Sequence, residues 1–376
     1  MSVSPDDLLG RIQPHLRAAP AYVPVEPPDE VAKRLGLPAE RIVKLDANEN
    51  PYGPSPRVFE ALANAQTMHI YPDPEQRKLR EALGRYVGFG PEWLIGGAGS
   101  DELIDLLIRL FVPAGDAILN FPPTFSFYPF LAGIANARSI DVLREPDYTI
   151  DLPKALDAAE DASLIVGTSP NNPTGTVMSR DEIKALLATG KPVIVDEAYT
   201  EFAGESCIEM VREHANLIVL RTLSKWAGLA GLRVGYMVAN PALIDIVMRI
   251  KQPYNINVAA EIATLASLDD LPWLQERVDA MIRERDRMAA MLAEMPGVTV
   301  TPSRANFVLC HLETVPARDV HQRLLEQGIL VRYFDTPLLR NHIRISAGRP
   351  EQTDAFINAL DEILTVEAAA ERRPSP

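Results

Sequence analysis

Four short stretches of nearly continuous aliphatic residues, at 117–120, 164–167, 192–195 and 217–220, restrict this chain's possible folds more than any other feature. A strand that is apolar at almost every position has both faces buried, as in a parallel sheet covered by helices on each side. Helical periodicity over 101–111 and 180–187 falls between the runs. The resulting βαβ order predicts an α/β fold built on a mainly parallel sheet.

Ligands of such sheets sit beyond the carboxyl ends of the strands. Polar motifs follow three of the runs there: Asn171-Asn172-Pro173-Thr174-Gly175 after the second, Asp196-Glu197-Ala198-Tyr199 after the third, and Thr222-Leu223-Ser224-Lys225 after the fourth. They are expected to line one crevice. With 376 residues the chain exceeds one ordinary core, so two domains are expected to share that crevice. The expected division is an N-terminal arm and the start of the small domain at 1–44, a large domain at 45–255, and a C-terminal small domain at 256–376.

Outside the alternating middle the texture changes. Residues 18–29 include four prolines, which exclude a regular helix or a central strand and point to an extended arm, or more plainly a linker. Leu274, Val278, Met281, Ile282, Met288, Leu292 and Met295 recur at helical spacing on a long helix stopped by Pro296-Gly297, a stripe that reads as core packing. Strands of a smaller α+β domain are expected at 329–331 and 343–345, with Gly328 ending the helix before the first. Residues 368–376 read as a frayed tail.

A formal net charge of -14 argues against a general nucleic-acid or anionic-membrane binder. Anionic ligands must then be captured by local arginines and backbone donors. No apolar run approaches the roughly 18 residues needed to span a bilayer, and the N-terminus lacks a basic and apolar leader pattern, so a cytoplasmic protein is expected. Cys207 and Cys310 are the only cysteines, read as buried packing in a reducing compartment. His15, His69, His214, His311, His321 and His342 have no ligand-like spacing, and no metal is expected.

Together these motifs resemble those of the fold type I pyridoxal-phosphate aminotransferases, class II subfamily, and more narrowly the histidinol-phosphate aminotransferase family. The narrower resemblance rests on Leu45-Asp46-Ala47-Asn48-Glu49-Asn50-Pro51-Tyr52-Gly53, on 224–236, on Lys251-Gln252-Pro253-Tyr254-Asn255 and on Ile343-Arg344-Ile345-Ser346-Ala347-Gly348. It runs from about residue 20 to about residue 364. The fold it implies is a large domain with a mainly parallel, seven-stranded sheet between helices, a smaller α+β domain and an N-terminal arm.

The implied cofactor is pyridoxal 5'-phosphate. Lys225 would supply the primary amine that holds it and moves a proton at the substrate's α-carbon. Neighbouring cationic and polar groups are expected to favour its neutral form relative to the ordinary lysine pKa of about 10.4. Asp196 would pair with the protonated ring nitrogen, a helix N-cap being its rival role. Tyr199 and Asn172 would bond the ring's 3-oxygen, although Asn172 also suits a turn before Pro173. For the phosphate the resemblance implies Ser100 and Asp101, where Gly96-Gly97-Ala98-Gly99 enters a helix, with Thr222, Ser224 and Arg233. That glycine cluster equally suits an ordinary strand-to-helix turn. Phe125 takes the place of the stacking aromatic where many relatives carry tyrosine, a departure that keeps the stack and loses a hydroxyl. Tyr71 would reach the cofactor phosphate of a neighbouring subunit, making a homodimer with a shared site, or else cap a strand.

Arg344, set between two isoleucines, is awkward in a strand unless it faces an anion. Within the resemblance it and Arg332 bind the substrate's carboxylate or phosphate, assisted by Tyr22 and Asn48. The implied reaction moves an amino group between L-histidinol phosphate and 2-oxoglutarate, the phosphate of the first hanging where glutamate carries its carboxylate. Other readings are an aromatic amino-acid aminotransferase, a threonine-phosphate decarboxylase, and the ligand-sensing module of a transcription regulator.

Overall fold

In the computed structural model, which describes residues 4–22 and 24–371, the four aliphatic runs become central strands of one sheet. In chain order the strands are β1 Val43–Lys44, β2 Leu94–Ala98, β3 Ala117–Asn120, β4 Arg138–Asp141, β5 Leu164–Thr168, β6 Val193–Asp196, β7 Leu217–Thr222 and β8 Val234–Val238. Seven of them form the sheet β2-β8-β7-β6-β5-β3-β4. Strands β4, β3, β5, β6 and β7 are parallel, whereas β8 runs antiparallel to both β7 and β2.

Alternation along these strands shows why the runs had to be apolar throughout. Ile165, Val193, Val195, Leu217 and Val219 pack into one core, while Leu164, Val166, Ile194, Ile218 and Leu220 pack into a second on the opposite face. A polar residue at any of these positions would be buried without solvent.

A third core lies under a four-stranded antiparallel sheet, β12-β13-β10-β9, made of β9 Val298–Thr301, β10 Phe307–Leu312, β12 Arg332–Tyr333 and β13 His342–Ser346. The long helix observed at Leu271–Ala293 joins the cores. Its Leu274, Val278 and Met281 face the first, and Met288 and Leu292 the third.

Three expectations require correction. The strand expected at 329–331 divides: β11, Ile329–Leu330, pairs parallel with β1, and the chain beyond Val331 joins β13 instead. The proline-rich arm is irregular only to Pro27, because Pro28 opens the helix Pro28–Leu35; proline at the first helical position lacks an N–H that would be unsatisfied anyway. The final helix, Pro350–Glu371, continues through alanines 368–370, which are strong helix formers, where a frayed tail was expected. Residues 372–376 of that expected tail lie outside the described residues. Cys207 and Cys310 are buried and unpaired. Among the described residues no helix is long and apolar enough to cross a membrane.

Candidate active site

The carboxyl ends of β5, β6 and β7 lie side by side, and the three polar motifs gather there. Asp196 is the last residue of β6 and is 4% exposed. Its Oδ2 accepts a hydrogen bond from the hydroxyl of Tyr128 at 2.8 Å, and its Oδ1 accepts from the backbone N–H of Ala198 at 3.0 Å. Neither partner carries a charge. Burial accordingly pushes the carboxyl up to about 6, against the pull of those two hydrogen bonds.

Lys225 follows β7, and its Nζ donates to the carbonyl of Ala47 at 3.0 Å. Its pKa is lowered to about 8, first by burial and then by the positive field of Arg344. The direction agrees with the sequence expectation, but desolvation rather than a cationic neighbour is the first cause. A lysine so placed is neutral far more often than one on a surface.

An anion cradle adjoins it. Gly99, at φ +78, turns the chain out of β2 and into the helix Ser100–Phe111, whose first turn includes Ser100 and Asp101. A side chain at Gly99 would come within 2.5 Å of the Arg233 guanidinium, and one at Gly235 within 2.2 Å of the Ser100 backbone nitrogen. Only glycine permits these approaches. Thr222 Oγ1 lies 3.0 Å from Ser224 Oγ, which is 3.5 Å from Arg233 Nη1. Arg233 also donates to the carboxylate of Asp101 at 2.8 Å, so the Asp101 side chain is engaged and only its backbone N–H is available to an anion.

Opposite this edge stands β13. Arg344, 5% exposed, donates from Nη1 to Asn172 Oδ1 at 2.6 Å and from Nη2 to the carbonyl of Asp46. Its buried Nε has no partner. Burial brings this guanidinium down to about 10. Arg332 sits directly across the ladder from Arg344. Asn48, held at φ 55, donates from Nδ2 to the Tyr199 hydroxyl at 3.0 Å. Tyr199 is buried edge-on against Phe307, and burial raises its pKa.

Most of the residues singled out in the sequence thus converge. Phe125 leans edge-on against Tyr128, one contact from Asp196. Tyr22 is set further out, where its ring meets Phe127 and Phe130 and, with Arg332, lines a cavity of about 600 Å³ between the arm and the helix Phe127–Ile134. Tyr71 is not brought to this site: it is 77% exposed and stacks on Tyr254 at 4.5 Å beside Met68 and Ile70.

Sequence reading missed Tyr128, which gave no motif signal. It also gave no role to Ser346, whose hydroxyl donates to Asn48 Oδ1 at 3.0 Å and accepts from the Asn48 N–H at 2.8 Å. The site suits pyridoxal phosphate on three structural grounds. A buried carboxyl has only neutral partners, a glycine-opened cradle meets a guanidinium, and a lysine amine whose pKa burial lowers to about 8 feels the Asp101 and Arg233 charges of that cradle.

Residues 40–360 match the family model of the class I and II aminotransferases. A histidinol-phosphate aminotransferase of Roseiflexus castenholzii is 48% identical over 369 residues, covering 96% of this chain and 100% of that protein. A chloroplastic histidinol-phosphate aminotransferase of Arabidopsis thaliana is 44% identical, covering 93% and 85%. The crystal structure of histidinol-phosphate aminotransferase from Sinorhizobium meliloti in complex with pyridoxal-5'-phosphate superposes with a TM-score of 0.86 at 28% identity, over 95% of this chain and 98% of that one.

Proposed function

Because this chain belongs to the class I and II aminotransferases, we propose that it is a pyridoxal 5'-phosphate enzyme of histidine biosynthesis that moves an amino group between L-histidinol phosphate and 2-oxoglutarate. The carrying observation is the position of Arg344. It is a buried guanidinium with only neutral partners and an orphaned Nε, close enough to Lys225 to depress the amine's pKa. An anion bound there holds a substrate's α-carbon beside Lys225 Nζ. One guanidinium serves both substrates because its planar fork fits a phosphate or a carboxylate. The narrower substrate is supported by 48% identity to a histidinol-phosphate aminotransferase over 96% of this chain and the whole of that protein.

When bound, pyridoxal 5'-phosphate supplies an electron sink for the pair released as the substrate's α C–H bond breaks. Lys225 Nζ, neutral in part near pH 8, would accept the proton from the substrate's α-carbon and deliver it to the cofactor's C4′ carbon, the reverse transfer serving the second substrate. Asp196 would hold a proton on the ring nitrogen, its carboxylate aimed by the Tyr128 hydroxyl. Tyr199 and Asn172 would bond the ring's 3-oxygen, and Phe125 would cover a ring face. The Ser100 and Asp101 backbone with Thr222, Ser224 and Arg233 would hold the phosphate, where the helix N-terminus favours negative charge. Arg332, Tyr22 and Asn48 complete the substrate pocket. Tyr71, on the exposed patch with Tyr254, would reach the cofactor phosphate of a second copy, making the working unit a homodimer, and the cytoplasm is its proposed compartment.

Rates measured side by side with histidinol phosphate, phenylalanine and O-phosphothreonine test this reading. Histidinol phosphate should give the highest kcat/KM. Release of carbon dioxide from O-phosphothreonine, or preference for phenylalanine, would replace the assignment.

A further inference from the structure

Strand β13 divides its side chains between two tasks. Ile343 and Ile345 are fully buried in the third core, while His342, Arg344 and Ser346 point from the other face. Each of those three is tied to a distant part of the chain. Ser346 bonds Asn48, and Arg344 bonds Asn172 and Asp46. His342 Nε2 lies 3.1 Å from the hydroxyl of Tyr148, a bond that no part of the proposed chemistry uses.

Tyr148 is fixed in place by the turn that carries it. It sits at φ +65, a left-handed conformation that costs a non-glycine residue energy and persists only where the surroundings impose it. The surroundings do impose it. Its N–H donates to the carbonyl of Glu145 at 2.8 Å, and its carbonyl accepts from Arg144 Nη1 at 2.9 Å. Arg144 is buried, and its Nε donates to the carbonyl of Phe121, four residues before Phe125. Its backbone N–H donates to the carbonyl of Pro122. The connection thus runs from the Phe125 loop through Arg144 and Tyr148 to His342, two residues from Arg344 on the same face of β13.

We propose that Tyr148 and His342 are a positioning pair that locks β13 against the seven-stranded sheet and so sets the placement of the Arg344 guanidinium toward the substrate anion. The pair touches neither substrate nor cofactor. Its effect falls on whatever Arg344 grips, which is the phosphate of one substrate and the carboxylate of the other, and it rests on the reading of Arg344 given above. The Tyr148 hydroxyl is the one hydrogen-bond partner of the His342 ring among the described residues, since the buried Nδ1 has none, so the pair is a specific link between the two sheets.

Tyr148→Phe removes the hydroxyl and keeps the ring. In the holoenzyme, KM for histidinol phosphate and for glutamate should rise together by about three- to tenfold, as for one lost neutral hydrogen bond, with kcat within about twofold. The glutamate concentration that half-shifts the bound cofactor's absorbance should rise by the same factor, while the spectrum without substrate stays as in the wild type. His342→Gln, which keeps a polar partner, should lie between wild type and His342→Phe. The Tyr148→Phe/His342→Phe double variant should be no worse than the poorer single. Unchanged KM for both substrates, a fall in kcat alone, or full additivity of the two single variants would overturn the pair. If the wild type prefers another amine the functional reading fails, yet the variant-to-wild-type KM ratio on that amine still decides the pair.

Discussion

Asp196 and Glu197 are neighbours on the chain, and the fold treats their charges in opposite ways. Glu197, 2% exposed, is satisfied within the protein: Arg221 pairs with it at 2.9 Å, Ser206 donates to both its oxygens, and the Cys207 N–H donates to Oε1 at 2.7 Å. Asp196 receives only a phenol and an amide. A buried carboxylate with a full set of partners is structural scaffolding, whereas one with neutral donors alone awaits a cation. Arg221 and Arg344 repeat the contrast among the guanidiniums, the first bound to a carboxylate and the second to neutral oxygens with one nitrogen orphaned. Along this sheet edge the groups left without a charged partner, Asp196 and Arg344, are the ones that face the candidate site.

That contrast breaks most sharply at Lys225. Lys225→Ala should lower transamination by about 10⁴-fold, measured under single-turnover conditions, while leaving the thermal midpoint of the cofactor-free protein equal to or above that of the wild type. A loss of folding instead would move Lys225 to the scaffolding side.

Arg221→Ala tests the finished side. Removing one partner of a buried pair should cost about 4 kcal/mol in denaturant unfolding, because Glu197 is left without its cation. A change below about 1 kcal/mol would show Glu197 to be satisfied without it.

A smaller effect of opposite sign is expected for Asp196→Asn. The carboxyl's pKa rises from 3.8 in the unfolded chain to about 6 in the fold, so the folded state binds the extra proton between those values. The stability this confers is complete below pH 3.8 and is lost as pH rises through about 6. Asparagine never ionises and escapes that loss. The cofactor-free variant should gain up to about 3 kcal/mol over wild type at pH 7 and nothing near pH 3.8, while binding pyridoxal phosphate more weakly. Equal stability across that pH range would mean that Asp196 already has a cationic partner.

How much of this was legible beforehand follows from the range of the forces involved. Local signals gave the central strands and helices: the helix expected at 180–187 is observed at Arg180–Leu187, because its serine cap and apolar spacing are contained in the segment itself. They also put Asn172, Asp196 and Lys225 on one sheet edge, since motif position after a parallel strand fixes the end at which it emerges. Signals failed where partners are distant in sequence. Nothing near residue 329 says that β11 pairs with Val43–Lys44 rather than with the strand at 342–346. Nothing near Tyr128 says that its hydroxyl reaches Asp196, 68 positions away.

By itself the sequence determined the layered α/β architecture and the residue types of the site, because periodicity, strand composition and motif position act over a few residues. Tertiary structure alone decided which charges are paired and which are left open, since desolvation and partner geometry depend on what packs against a group from elsewhere in the chain. Aspartate and glutamate side by side differ in role here only because one meets Arg221 across the sheet and the other meets a tyrosine.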